Sequence, residues 1–207
     1  MSETTKNLNV IDSRSTIQTD PMRAFRFRAK FNIAGGTAFS PAITSFSGGF
    51  NSVSGLNTTV APITYREGGY NTTMHQVPGM ATFSPVTFSR GALYGNDSAI
   101  TWMRGLFAAA SGEGLAVGTT SNARNFRCKV TIEAMDHPNA GTSTNIPRIG
   151  FYLHNAWITS LAFSDLNAGA NELMFEQMTL VHEGLSVAML NANGTATTGN
   201  FKPAGFA

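Results

Sequence analysis

The residues of this chain best suited to chemistry are two histidines and a carboxylate. His182 and Glu183 adjoin at the end of one strand-like run, and His154 lies in another. A histidine beside a glutamate can act as an acid–base pair, and two imidazoles with a carboxylate can begin a metal site. Metal ligation takes three or four convergent donors, and only these two imidazoles and one carboxylate are in view. The expectation is therefore a hydrogen-bonded strand end closed by Gly184. His75 and His137 fall in polar connections and carry no motif. Cys128 is the single cysteine, which leaves neither a disulfide framework nor a cysteine-built zinc site. A Ser-His-Asp set can be assembled on paper, but no Gly-x-Ser-x-Gly turn presents a nucleophile. Gly68-Gly69 is not followed by the rest of a phosphate or dinucleotide loop. No catalytic residue, cofactor or metal is assigned.

Arg26, Arg28 and Lys30 share one strand face, about 7 Å apart along the chain. They could grip phosphate, but pairing with acidic partners such as Glu172 or Glu176 on neighbouring strands is the expectation. Composition agrees. Net charge is only +2 and the charged fraction 13%, against about 25% in an average soluble domain. A binder held by phosphate contacts is not the reading of such a chain. A surface this poor in charge suits a subunit that covers itself with its own copies.

The elements that position these residues are mainly strands. Arg148 to Leu185 reads as two long strands around the turn Asp165 to Asn171, whose Asp, Asn and Gly tolerate turn geometry. Along Glu172 to Gly184 apolar residues occupy both faces, so neither face reads as simply solvated. Met22 to Ile33 alternates cleanly, with Phe25, Phe27, Ala29, Phe31 and Ile33 on one face. Ala34 to Gly49 holds a loop and a short strand. Phe50 to Leu56 and Thr58 to Arg66 are further strands, Pro62 demoting the second to an edge or bulge. Glu67 to Ala81 reads as a long loop, a kind of segment seldom kept without a job. Pro85 to Ser89 and Phe126 to Met135 are strands. The one helix runs from Ala99 to Ala110 after Asn96-Asp97-Ser98, which offers N-cap side chains. Its apolar face is read as Ala99, Met103, Leu106, Phe107 and Ala110, with Trp102 towards the other side. Trp102 and Trp157 are otherwise ordinary core candidates.

The chain divides into an arm at 1–21, a domain at 22–185 and an extension at 186–207. Its start lacks the basic-then-apolar pattern of a signal peptide, and no run approaches the about 20 apolar residues that span a bilayer. No membrane insertion by the chain itself is expected.

Several short motifs then occur in a telling order. They are Pro21-Met-Arg-Ala-Phe-Arg-Phe-Arg28, Ser52-Val-Ser-Gly-Leu56, Tyr65-Arg-Glu-Gly-Gly69, Val77-Pro-Gly79 and Ser89-Arg-Gly91. Trp102, Asn155-Ala-Trp157, Leu166-Asn-Ala168 with Asn171-Glu172, and His182-Glu-Gly184 complete the series. Across Pro21 to Leu185 the chain resembles the tail tube proteins of contractile phage tails and extracellular contractile injection systems. It departs from them in the neutral connection Asp136 to Arg148, where a charged hairpin is usual, and in Ile158, where a proline is usual.

The resemblance implies a mainly β, barrel- or sandwich-like subunit with one packed α-helix. Such subunits form a hexameric ring with a continuous inner β-barrel, and rings stack into a tube. The implied partners are further copies of the chain, the tail sheath, the baseplate and the tail terminator. Tape measure protein and genomic DNA would occupy the lumen without specific binding. The implied place is the virion tail, assembled in the host cytoplasm, with genome ejection as the role; the alternative is a headless injection system delivering protein effectors. By the same analogy the Tyr65 to Ala81 loop reaches the next ring. Tyr65, Arg66, Glu67, Gly68, Gly69, Pro78 and Gly79 are its contact candidates, with Arg66 and Glu67 ion-pairing across subunits. Trp102 is a candidate to face the sheath. The residues alone also allow a monomeric β-barrel that binds sugar or lipid in a closed apolar pocket, or, less well, an enzyme.

Overall fold

The structure, a computed structural model, describes residues 24–33, 45–69, 72–92, 96–111, 126–135, 147–169 and 171–190. The expected arm at 1–21 and the connection 136–146 lie outside the described residues. The strands are β1 (Phe27–Ile33), β2 (Ser45–Gly48), β3 (Ser52–Ser54), β4 (Thr58–Tyr65), β5 (His75–Phe83) and β6 (Val86–Gly91). After the helix α1 (Ser98–Ser111) come β7 (Cys128–Met135), β8 (Pro147–Phe163), β9 (Phe175–Val181) and β10 (Gly184–Met189). Among the described residues the mainly β subunit with one packed helix is thus observed.

Eight strands form one antiparallel sheet in the order β2-β1-β7-β8-β9-β6-β3, with β10 also on β8. Its two end strands, β2 and β3, are neighbours in the chain, so the sheet must curl until its ends approach. Phe50 sits between them and packs on Phe31 of β1 and Phe88 of β6, with ring centroids 5.8 and 5.2 Å away. Inside the curl, Phe31, Phe88, Leu153, Ile158 and Leu180 are fully buried. Alternation explains the choice: β1 buries Ala29, Phe31 and Ile33 and turns Arg28 and Asn32 outward.

The helix lies on this core by a different face from the one expected. Ala99, Thr101, Trp102 and Gly105 are its buried residues, whereas Phe107 is 63% exposed. Trp102, at 1% exposure, meets Phe31 and Phe46 edge-on. Its indole N–H donates to the Phe126 carbonyl at 2.8 Å, so the large ring is buried without orphaning its one polar atom. Trp102 is therefore core and is withdrawn as a sheath-facing candidate.

Three other expectations change. The segment Glu67 to Ala81 is not all loop, because β5 begins at His75. β9 alternates plainly, burying Glu176, Met178 and Leu180; the apolar residues of its other face, Leu173 ahead of the strand with Phe175 and Val181 inside it, are exposed or half-buried. The sheet also runs past Leu185, since Ser186 to Met189 complete β10 on Tyr152 to Ile149.

The charges pair differently as well. Arg28 lies opposite Glu133 in the β1–β7 register, and Glu133 accepts from both Arg28 and Lys30, the latter at 3.1 Å. Glu176 instead faces Arg90 across β6–β9. Arg90 Nη2 and Nε reach Glu176 Oε2 at 2.7 and 2.8 Å, both side chains being buried. A buried pair costs desolvation, and removing one partner leaves a bare charge. Arg90→Met should lower subunit stability by about 3–5 kcal/mol in urea titrations, while Arg90→Met with Glu176→Met should recover most of the loss. Equal losses in both variants would contradict this.

Candidate functional site

The Asn155-Ala-Trp157 and His182-Glu-Gly184 motifs come together where β8 changes partners. β7 accompanies β8 from Met135↔Pro147 to Cys128↔Ala156, with a bulge opposite Lys129. β10 lies along the other edge from Ile149 to His154, and β9 takes over that edge from Trp157. At the changeover Asn155 has φ 51°, a left-handed conformation that asparagine tolerates better than most residues. Its amide donates to Glu183 Oε2 at 2.6 Å, and Arg127 reaches Glu183 Oε1 at 3.3 Å. The Glu183 N–H donates to the His154 carbonyl at 3.0 Å.

This is what the candidate acid–base residues do. His154 Nε2 and the Ser186 hydroxyl lie 2.8 Å apart. His182 Nδ1, 3.1 Å from the Gly184 carbonyl, must carry the proton, since a carbonyl only accepts. Its Nε2 is buried without a hydrogen-bond partner, and the ring packs on Phe83, centroids 5.5 Å apart. Among the described residues no group of three or more His, Cys, Asp or Glu is placed to hold a metal. The cluster pins a bend in the backbone.

The second feature is the hairpin β4–β5, a two-stranded sheet separate from the large one. Nearly every residue in it is exposed, including Ile63 at 58% and Met80 at 78%. Neither strand contains a charged residue. An isolated two-stranded sheet is at best marginally stable in water. Within it Ile63 faces Val77, the Thr59 and Thr82 hydroxyls are 2.7 Å apart, and Tyr65 stacks on His75 at 5.2 Å.

Pro62 lies directly opposite Pro78. Neither has an N–H, so this must be a non-hydrogen-bonded pair, and both nitrogens point outward to the hairpin's free edges. Each edge thereby lacks a donor at its middle, which blunts it. The register shifts beside this pair, and there Gly79 lies so close to β4 that a Cβ would stand 2.5 Å from the Ala61 carbonyl oxygen. A bulge bends the strand that carries it.

The sequence-assigned contact residues thus divide. Tyr65 ends β4, Arg66 to Gly69 lie at the tip, where Gly69 has φ 99°, and Pro78 and Gly79 form the bend. They belong to one projecting element. Sequence reasoning placed Val60 and Ile63 in the expected strand Thr58 to Arg66 and Val77 and Met80 in a loop, because Pro78 and Gly79 suggested one, and singled out none of the four as an exposed apolar flank. It also missed a second exposed apolar cluster beyond β8, where Phe163, Leu166, Leu173, Met174 and Phe175 are exposed.

The described residues thus form a curled antiparallel sheet and an exposed, uncharged hairpin that stands apart from it. A family profile for the T4-like virus tail tube protein gp19 matches residues 23–186, and the chain belongs to that family of structural tube proteins. Solved structures share the fold. A chain of the anti-feeding prophage baseplate aligns at TM-score 0.60 and 19% identity, covering 82% of this chain and 96% of that one. A chain of the sheath–tube complex of the extracellular contractile injection system PVC aligns at 0.60 and 20%, covering 85% and 97%. A chain of the PVC sheath/tube terminator aligns at 0.55 and 21%, covering 81% and 96%. No curated protein sequence matched the chain.

Burial holds the His182 imidazole below its ordinary value of 6.5, against the opposing pull of the Gly184 and Ser84 carbonyls. The folded chain then binds this proton less readily than the unfolded chain does. Stability from this group is intact above about pH 6.5 and is lost as pH falls from there towards the folded value. Unfolding free energy measured from pH 8 to 5 should drop through that window, and His182→Gln should flatten part of the drop. An unchanged profile would remove His182 from the account.

Proposed function

We propose that the chain builds the inner tube of a contractile phage tail. Copies close into hexameric rings with a continuous inner β-barrel, and rings stack through the β4–β5 hairpin. The tube lies inside the tail sheath between baseplate and tail terminator, in a virion tail assembled in the host cytoplasm. Tape measure protein and then genomic DNA occupy the lumen without specific binding, and ejection of the genome into the host is the output. The chain catalyses no reaction and needs no cofactor.

One observation carries this reading. The β4–β5 hairpin exposes apolar side chains on both faces, holds no charge to solvate them and has no sheet to lean on. It becomes stable when another copy covers it. Its two parts suit ring stacking, with uncharged flanks to be buried and Arg66 and Glu67 at the tip to set the alignment between rings.

A second reading, the tube of a headless injection system carrying protein effectors, uses the same assembly and is favoured by the fold shared with anti-feeding prophage and PVC chains. The two part on cargo: particles that eject nucleic acid mark the first, and particles loaded with protein the second.

Arg66→Glu should stop tube growth while leaving the subunit's circular dichroism and melting point unchanged; normal tubes in negative stain would reject the assignment. Gly79→Ala pushes a Cβ into the Ala61 carbonyl and should straighten or shift the hairpin. Because the hairpin stands apart from the large sheet, the subunit should melt within a few degrees of wild type yet give fewer and shorter tubes. Tubes of wild-type length and number would show that the bend is dispensable.

A further inference from the structure

The β4–β5 hairpin meets the rest of the chain at its open end, where Thr58 lies opposite Phe83. Side chains of a directly opposed pair share one face of the ladder. Here that face looks onto the large sheet, because the Phe83 ring packs on His182 beyond the end of β9. Thr58 and Phe83 are half-buried, unlike nearly all the rest of the hairpin. The chain on the way in is held closely. Gly55 has φ 89°, a Cβ on it would collide with the Pro85 carbonyl oxygen, and Ser84 N–H donates to the Asn57 carbonyl at 3.2 Å. The root is therefore a fixed pivot.

Beside the pivot the polar groups are unsettled. Among the described residues three buried side-chain polar atoms lack a hydrogen-bond partner, and two of them, Thr58 Oγ1 and His182 Nε2, belong to this joint. They are complementary. His182 Nδ1 donates to the Gly184 carbonyl, so Nε2 of the neutral ring is an acceptor, and a threonine hydroxyl can donate. A donor and an acceptor buried apart each cost free energy that one bond between them would remove. Thr58 rides on the hairpin and His182 on the sheet, so making that bond means re-seating the hairpin about its root. The Ser84 carbonyl also lies against the ring. It only accepts, so it can serve Nε2 only once that nitrogen is protonated. The neutral and the charged ring thus call for different partners at one place.

We propose that Thr58 and His182 form a pH-sensitive latch that sets the angle of the hairpin. With the ring neutral, the Thr58 hydroxyl donates to Nε2 and holds the hairpin as it stacks on the next copy. With the ring charged, Nε2–H turns to the Ser84 carbonyl and the latch opens. The latch rests on the stacking reading above and adds what positions the stacking element. No neighbouring charge competes for the ring. Val181, Gly184, Leu185 and both hairpin strands carry none, and Tyr65 and His75 stack on each other at the hairpin's far end. Glu183 is engaged by Asn155 and Arg127, His154 lies on Ser186, and Arg90 and Glu176 pair at the other end of β6 and β9. The sign follows from the acceptor: the latch belongs to the neutral ring, so it is intact above about pH 6.5 and is lost as pH falls below it.

The test is the protein concentration at which tubes begin to grow, measured by pelleting from pH 8 to 5. Wild type is compared with Thr58→Val, which keeps the shape and loses the hydroxyl, and with Thr58→Ser, which keeps the hydroxyl. Circular dichroism and melting first show that each subunit is folded. At pH 8 Thr58→Val should need about tenfold more protein, the worth of one hydrogen bond, and Thr58→Ser should match wild type. Below pH 6.5 the wild-type threshold should climb towards that of Thr58→Val, whose own should change least. The His182 ring, followed by its 15N shifts, should titrate at lower pH in tubes than in dissociated subunits. Equal thresholds for wild type and Thr58→Val at pH 8 overturn the latch. So does equal failure of the valine and serine variants, or a ring that titrates alike in tube and subunit. If wild type grows no tubes at any pH, the stacking reading falls first and takes the latch with it.

Discussion

The bend in β8 at Asn155 is the constraint on which the architecture turns. One strand pairs with β7 and β10 before the bend and with β9 after it, and this is possible because a single residue takes φ 51°. A left-handed residue in a strand costs free energy unless its surroundings over-determine it. Here the surroundings do: Glu183 accepts the Asn155 amide and pairs with Arg127, and its own N–H is held by the carbonyl of His154. The junction between β9 and β10 is clamped by the same contacts. Both halves of the sheet are aimed by this one corner.

What the corner aims has consequences further out. Past it, β8 continues beyond the last residue that β7 pairs with, Ala156, while Phe83 against His182 ties the root of the β4–β5 hairpin to the corner's other side. The outer half of β8 and the separate hairpin thus both start from this corner. Assembly demands this. Surfaces that must meet copy after copy in a fixed geometry need a stiff mount, and a loop would not supply one.

Much of this was legible in the residues, and the failures have physical causes. β1 could be read because strict alternation survives wherever one face is buried and the other wet. The helix could be placed but not rotated, because the rotation was fixed by Trp102, whose indole N–H found the Phe126 carbonyl, a contact between segments distant in sequence. β5 was hidden by Pro78 and Gly79, which are turn residues by propensity but mark a bulge and a blunted edge here. The partner of Arg28 depended on β1 lying beside β7 rather than β9, and strand order is not written in local sequence. The motifs at 65–69 and 77–79 were visible through family resemblance; the exposure of the apolar residues beside them, Val60, Ile63 and Met80, was not.

The distribution of charge shows what kind of association this subunit can make. The described ionic contacts are internal: Arg90 with Glu176, Arg28 and Lys30 with Glu133, Arg127 with Glu183. Each ties segments of one copy together. The surfaces left incomplete are uncharged along β4 and β5, and acquire charge only at the hairpin tip with Arg66 and Glu67. Attraction between copies then comes from apolar burial and backbone pairing, which act at contact and depend little on salt. Such forces are strong but indifferent to register. In the proposed assembly the register must come from shape: the prolines that blunt the hairpin's edges and the bulge that bends it.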